Sequence, residues 1–257
     1  MLINIIHPSP PLAEYIKYYW QIESLGEAHT EIVCPTGEIQ ILLHYEMPFK
    51  DSGIEGPVKN QPVSTLCGQK TTYCQVSTRN RTGAIGIVFY PHAASAFFPF
   101  PIHETTDTLT NLSDIYPEWR YTEEAFLNSK TNTERIGLIE NFLRAKCHII
   151  NGSYYAIAQS CIREIYKTRG RIPVAALLDK HCLTERTLQR IFKDTVGISP
   201  KKVCGFVKLG HALELCKNGS THTQNCFEAG YYDQADFTKT IKKYTGCTPE
   251  ELRKMYS

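Results

Sequence analysis

The strongest constraint on the fold is an internal repeat near the C-terminus. Shifting the sequence by 49 positions places Thr184 on Asp233, Leu188 on Phe237, Phe192 on Ile241, Lys193 on Lys242, Gly197 on Gly246, Ser199 on Thr248 and Pro200 on Pro249. A repeat of this kind marks one supersecondary unit used twice. Each copy starts with a small polar residue suited to a helix N-cap, continues with apolar residues at helical spacing, and stops at a glycine. A second helix follows at once, because Ser199-Pro200 and Thr248-Pro249 supply a capping hydroxyl and a proline at the first helical position. Glu251 completes a capping box in the second copy.

Upstream of each N-cap the sequence predicts another short helix, Val174 to His181 in the first copy and about His222 to Ala229 in the second. Cys182-Leu183 and Gly230-Tyr231-Tyr232 form the turns. Helix, short turn, helix is a geometry that projects the second helix away from the body of a domain. Between the copies, Val203, Phe206, Val207, Leu209, Ala212, Leu213 and Cys216 fall broadly on one side of a helix from Pro200 to Lys217, which would hold both units rigidly.

Charge divides the chain in the same place. Residues 1–150 hold 11 Lys and Arg against 16 Asp and Glu, whereas residues 151–257 hold 17 against 10. A basic module beside an acidic one fits phosphate binding by the C-terminal half. On the first projecting helix Leu188, Ile191 and Phe192 face inward, leaving Glu185, Arg186, Gln189, Arg190 and Lys193 outward. The matching outward positions of the second are Gln234, Ala235, Thr238 and Lys239. Arginine can grip the paired acceptors of guanine and glutamine can read adenine, so the first helix has the side chains for base reading. Ala235 and Asp236 offer little to an acidic duplex, which leaves the second to add position and phosphate contacts.

The region from about Ile172 to Lys254 resembles the DNA-binding domain of the AraC family of bacterial regulators. The likeness is carried by Leu188-Gln189-Arg190-Ile191-Phe192-Lys193, Gly197-Ile198-Ser199-Pro200, Gly230-Tyr231-Tyr232-Asp233-Gln234 through Phe237, and Gly246-Cys247-Thr248-Pro249. It implies that the sites of Arg186, Gln189 and Arg190 lie at the DNA surface. The sequence departs from the family at Asn225-Cys226, where an Ile-Ala pair is usual, and at Ile241, where phenylalanine is usual. A polar residue at such a buried site costs about 1–3 kcal/mol if unpaired.

In the N-terminal half, Glu31 to His44 and Gly83 to Phe89 read as strands separated by turn-rich stretches, predicting a mostly-β, barrel-like domain. The order of its segments, from Tyr18-Tyr19-Trp20 to Phe89-Tyr90-Pro91, resembles the N-terminal domain of an uncharacterised group of AraC-like regulators. Relatives often bind a small effector in such a barrel, so the resemblance makes Trp20, Phe89 and Phe97 candidate pocket lining, beside the alternative of plain core packing. Thr133 to Cys147 reads as an amphipathic helix with Ile136, Ile139, Phe142 and Leu143 on one face, suited to pairing subunits or to packing on the barrel. A further helix runs from Tyr154 to Lys167, and Thr168-Arg169-Gly170-Arg171 ends it.

The expected class is therefore α+β, a β-rich sensing or assembly domain over residues 1–120, a helical connector over 121–152, and an all-α domain over 153–257. Within the last, the first helix-turn-helix spans about 173–196, the linker helix 200–217 and the second helix-turn-helix 221–245. The expected partners are double-stranded DNA, a small-molecule effector, a second copy of the chain, and RNA polymerase if the protein activates. No enzymatic activity, cofactor, metal or membrane contact is expected. With no run of eighteen apolar residues and no basic, apolar start, the expected location is the cytoplasm. Two other readings compete. A cupin-like metal enzyme could draw on His44, His92 and His103, yet no His-x-His pair occurs. A thiol-based redox or alkylation sensor could use Cys34, Cys67 or Cys74, yet no basic residue adjoins Cys34 or Cys67 in sequence.

Overall fold

The computed structural model describes residues 2–52, 58–78, 81–148, 152–217 and 222–256. Its strands are β1 (Leu2–Ile6), β2 (Ile16–Leu25), β3 (His29–Val33), β4 (Gln40–His44), β5 (Lys50–Ser52), β6 (Lys59–Asn60), β7 (Ser64–Cys67), β8 (Cys74–Thr78), β9 (Arg81–Phe89) and β10 (Leu109–Asn111). The helices are α1 (Leu112–Ile115), α2 (Trp119–Asn128), α3 (Asn132–Lys146), α4 (Ser153–Lys167), α5 (Val174–His181), α6 (Glu185–Thr195), α7 (Pro200–Lys217), α8 (His222–Glu228), α9 (Gln234–Thr245) and α10 (Pro249–Tyr256). Strand-rich and then helix-rich, the chain is α+β as expected.

The strands form two open antiparallel sheets and not a closed barrel: β1-β2-β9-β4-β7-β10 and β3-β8-β5-β6. The stretch from Glu31 to His44, which reads as strand throughout, is two strands in different sheets. The break lies between Val33 and Gln40, where Pro35 lacks a ladder donor and Gly37 adopts φ +75°.

β9 sits inside the larger sheet and sorts its side chains by parity. Ile85, Ile87 and Phe89 enter the main core with Ile41 and Leu43 of β4. That core continues into Phe97, Phe98, Trp119, Phe126, Ile139, Phe142 and Leu143. The other face presents Ala84 and Val88, with Leu42, Trp20 and Ile22, toward the smaller sheet. Trp20 is paired with Gly86, where a Cβ would stand 2.0 Å from the indole; the ring lies flat across the strand only because that residue is glycine.

α3 starts at a full capping box between Thr131 and Glu134, and spends its apolar face inside the chain, burying Ile139, Phe142 and Leu143 against this core. Its buried Glu140 accepts hydrogen bonds from Ser9 N (2.8 Å) and Tyr19 Oη (3.1 Å) and pairs with Arg144 at 2.7 Å. Burial pushes that carboxyl's pKa up, but the hydrogen bonds and the guanidinium outweigh it and hold it below the usual range.

The helices build two further cores. The first joins Cys161, Ile162 and Ile165 of α4, Leu177 of α5, Leu188, Ile191 and Phe192 of α6, and Val203, Cys204 and Phe206 of α7. The second joins Leu209, Ala212 and Cys216 of α7 to Cys226, Tyr231, Phe237, Ile241 and Leu252. α7 is thus shared, its first half belonging to one unit and its second half to the other. Among the described residues, no helix is long and apolar enough to cross a membrane.

Candidate nucleic-acid interface

α6 is framed at both ends by local chemistry. Thr184 caps it, accepting from Thr187 N at 3.3 Å, and Gly197 at φ +94° leaves it, donating to Phe192 O at 2.8 Å. Asp233 caps α9 through Asp236 N at 2.7 Å, and Gly246 at φ +75° ends it. The expected capping box at Thr248 is present, Glu251 Oε2 accepting from Thr248 N at 2.6 Å. The turn into α6 uses Cys182 in a left-handed conformation, φ +51°.

With Leu188, Ile191 and Phe192 fully buried, Arg186, Arg190 and Lys193 are exposed and Gln189 is half-buried at their centre. These four, with Thr187 and the turn Gly197-Ile198-Ser199, border a shallow concavity of about 500 Å³. Arg186 and Lys193 have no hydrogen-bond or ion-pair partner among the described residues. Arg190 does: its Nη2 donates to Tyr154 Oη at 2.6 Å, and the guanidinium lies 5.4 Å from that ring's centroid. Tyr154, on α4, was not legible as a site residue, because the contact spans 36 positions.

On α9, Gln234 and Lys239 are exposed and Thr238 is half-buried. Asp233 and Asp236 stand at its N-terminal end and Lys239, Lys242 and Lys243 follow, so the cations of this helix lie in its C-terminal half, whereas α6 carries Arg186 in its first turn. Asn225, the departure from the family pattern, is buried and donates to Cys216 Sγ at 4.0 Å, a weak acceptor.

A second concavity, about 480 Å³, lies between the two sheets and reaches the second helical unit through Leu213, Thr245 and Leu252. Trp20 lines it, its indole donating to Gln40 Oε1 at 3.1 Å. Phe89 and Phe97 do not line it: both are fully buried on the opposite face of the larger sheet, with ring centroids 5.0 Å apart. Strand parity separates Phe89 from Trp20, since Trp20 pairs with Gly86 and Phe89 is an odd step away, and Phe97 packs on Phe89 from the turn that follows the strand. Gln61, 7% exposed, also lines the cavity, and its Oε1 has no partner among the described residues.

The residues of the rival readings are placed as follows. His44 donates from Nδ1 to Pro62 O at 3.2 Å and accepts at Nε2 from Phe49 N, which fixes a neutral ring. Burial lowers its pKa to about 4. His92, lowered to about 4 by burial and Arg163, packs between Tyr90 and Tyr155. Among the described residues no three His, Cys, Asp or Glu side chains gather in a metal-binding group. None of the ten cysteines is in a disulfide. Lys70 lies near Cys67 and Cys74, yet burial outweighs it and pushes the thiols up to about 12 and about 11.

Two helix-turn-helix units on one shared helix, behind a sheet-rich half, define a double helix-turn-helix DNA-binding protein. A family profile described as a helix-turn-helix domain matches residues 177–255, and one described as a domain of unknown function (DUF6597) matches residues 4–111. No curated protein matches the chain. Among solved structures, ToxT from Vibrio cholerae shares the fold, with 9% identity, coverage of 92% of this chain and 98% of that one, and a TM-score of 0.50. Two likenesses are partial. The C-terminal domain of AraT, a response regulator from Geobacillus stearothermophilus, has 20% identity over 40% of this chain and 88% of its own, with a TM-score of 0.37. A probable AraC family transcriptional regulator from Rhodopseudomonas palustris has 19% identity over 38% of this chain and 97% of its own, with a TM-score of 0.33. The chain carries a helix-turn-helix domain over residues 177–255 and is a DNA-binding transcription regulator.

Proposed function

We propose that this regulator reads DNA sequence with α6, uses α9 for position and phosphate contacts, and is modulated by a small ligand held between its two sheets. The observation that carries the first part is the outward face of α6. Arg186 and Lys193 stand without partners among the described residues, beside Gln189 and Arg190, on a helix locked by its cap, its terminal glycine and an apolar core. Cations left unpaired on a rigid projecting helix are suited to phosphate and guanine; Gln189 is suited to adenine. Thr238, Gln234 and Lys239 supply the supporting contacts. The two helices would enter major-groove segments about ten base pairs apart, and RNA polymerase and a second copy of the chain are further partners of the cytoplasmic protein.

The ligand reading rests on Trp20, Ile22, Leu42 and Val88, apolar walls of the cavity, and on Gln61 Oε1, which has no partner among the described residues. That combination suits a small apolar molecule bearing a hydrogen-bond donor. Of the charged groups lining the cavity, Glu38 pairs with Lys17 at 2.6 Å and Asp51 with Lys70 at 3.7 Å, so an uncharged ligand is favoured over an anion.

The deciding experiment is selection of sites from random DNA by the full-length protein, beside an Arg186→Ala, Gln189→Ala double variant. A motif with two blocks about one helical turn apart, blurred at one block by the variant, supports the reading. The same motif recovered unchanged by the variant would show that α6 is not the reading helix.

A further inference from the structure

The two recognition helices end at matched positions of the repeat, Gly197 and Gly246, and both ends are met by one loop of the N-terminal half. The segment 68–73 joins β7 to β8. Gln69, fully buried, donates from Nε2 to Gly37 O at 3.1 Å and to Val196 O, the last carbonyl before Gly197. A Cβ at Gly197 would stand 2.5 Å from Gln69 Oε1. A Cβ at Gly246 would stand 2.6 Å from Tyr73 Oη. Both glycines therefore do two things: they allow the left-handed turn, and they admit the loop.

The loop is itself braced. Gly68 presses on the turn at Thr105, where a Cβ would fall 1.6 Å from the carbonyl oxygen. Asp107, at φ +59°, accepts from Thr71 N at 2.7 Å and returns its own N–H to Gln69 O at 2.9 Å. Ile102, on that same turn, is the other group a Cβ at Gly197 would strike, at 2.9 Å.

We infer that the 68–73 loop is a spacer that fixes the pose of the two recognition helices relative to each other, with Gln69 and Tyr73 as positioning residues for DNA reading. α7 joins the units along one line, with Tyr244 of α9 packed on Phe206 of α7 beside it, which leaves torsion about that line the least restrained motion. A second, off-axis support touching both helix ends removes that freedom. Gly68 and Lys70 of the loop, and the flanking Cys67 and Cys74, also line the cavity between the sheets, so a molecule seated there would bear on the spacer. The inference rests on α6 and α9 being the helices that enter DNA.

The test uses the full chain and the motif recovered by selection, with the gap between its two blocks kept, shortened or lengthened by one base pair. Wild type should prefer the native gap. Gln69→Ala and Tyr73→Ala should each lose about tenfold in affinity at the native gap and little at the altered gaps, flattening the preference. The salt dependence and thermal midpoint should stay near wild type. Tyr73 is half-buried and meets only the second unit's end, so Tyr73→Ala carries the test if Gln69→Ala fails to fold. Equal loss at every gap, or wild-type behaviour at every gap, overturns the inference while leaving the reading helices in place. Wild type that binds the motif indifferently to its gap overturns it as well. Wild type with no sequence preference overturns both.

Discussion

The two helix-turn-helix units are built to the same plan, yet they are not equally equipped. The first caps α6 with neutral Thr184 at 3.3 Å, has Glu185 as the acid of its first turn, and turns Arg186, Arg190 and Lys193 outward. The second caps α9 with charged Asp233 at 2.7 Å, adds Asp236 in the first turn, and buries the polar Asn225 beside Cys216. Carboxylates at a helix N-terminus stabilise the helix through its dipole and repel a phosphate backbone at the same time. The second unit has put more of its chemistry into holding its helix, and the first into what the helix can touch.

The comparison breaks most visibly in the cores. Phe192→Ala and Phe237→Ala should each cost about 3–5 kcal/mol in chemical denaturation, since both rings are fully buried. Unequal costs would show that one unit is packed more loosely. Acid should act on neither unit first, but on the N-terminal half. His44 and His92 are held neutral there, with pKa values lowered to about 4. An unfolded histidine binds its proton near pH 6.5, so the folded state gains fewer protons than the unfolded one. Their contribution is fully present above about pH 6.5 and is lost as pH falls toward 4, about 2 kcal/mol each by pH 5. Thermal melts across that window should show the loss, and His44→Gln should flatten part of it.

Arg186→Ala should weaken binding to the selected site by about 1–3 kcal/mol and relax one base position, whereas Lys239→Ala should weaken all sequences alike and reduce the salt slope by about one. Similar behaviour of the two variants would erase the division of labour between the units. Removing the caps should cost about 1 kcal/mol, more for Asp233→Ala than for Thr184→Ala, because the first also loses a charge at the helix end. The smallest effect is expected at Asn225. Its amide donates to the Cys216 thiol, a weak acceptor, so Asn225→Leu should change stability by less than about 1 kcal/mol in the same melts.

What the sequence disclosed and what it withheld divide by the range of the forces involved. Thr184, Asp233, Gly197, Gly246 and the Thr248–Glu251 box act within a few residues, and each does in the structure what its position implied. α7 was legible for the same reason. The N-terminal half depends on pairing between distant strands, where a step of one residue exchanges the two faces of a sheet. Trp20 and Phe89 are both aromatic and both on strands, and only the register with β9 places one at the cavity and the other in the core. The single strand expected from Glu31 to His44 failed on the same ground, because a break at Pro35 and Gly37 sends its halves to different sheets. Of the α6 face, the outward residues could be named in advance; Tyr154 beneath Arg190 and Gln69 at the helix end could not, since both contacts join segments far apart in sequence.

The shared helix α7 has a thermodynamic consequence. Gly205 and Gly210 interrupt it on its exposed side with nothing packed on them, and a glycine inside a helix gives up about 1 kcal/mol relative to alanine. α7 is therefore a weak helix on its own account, kept wound by the two cores that grip its opposite halves. Melting either unit releases half of α7 and removes a wall from the other, so the duplicated domain should unfold as one cooperative block, with amide protons along α7 exchanging together.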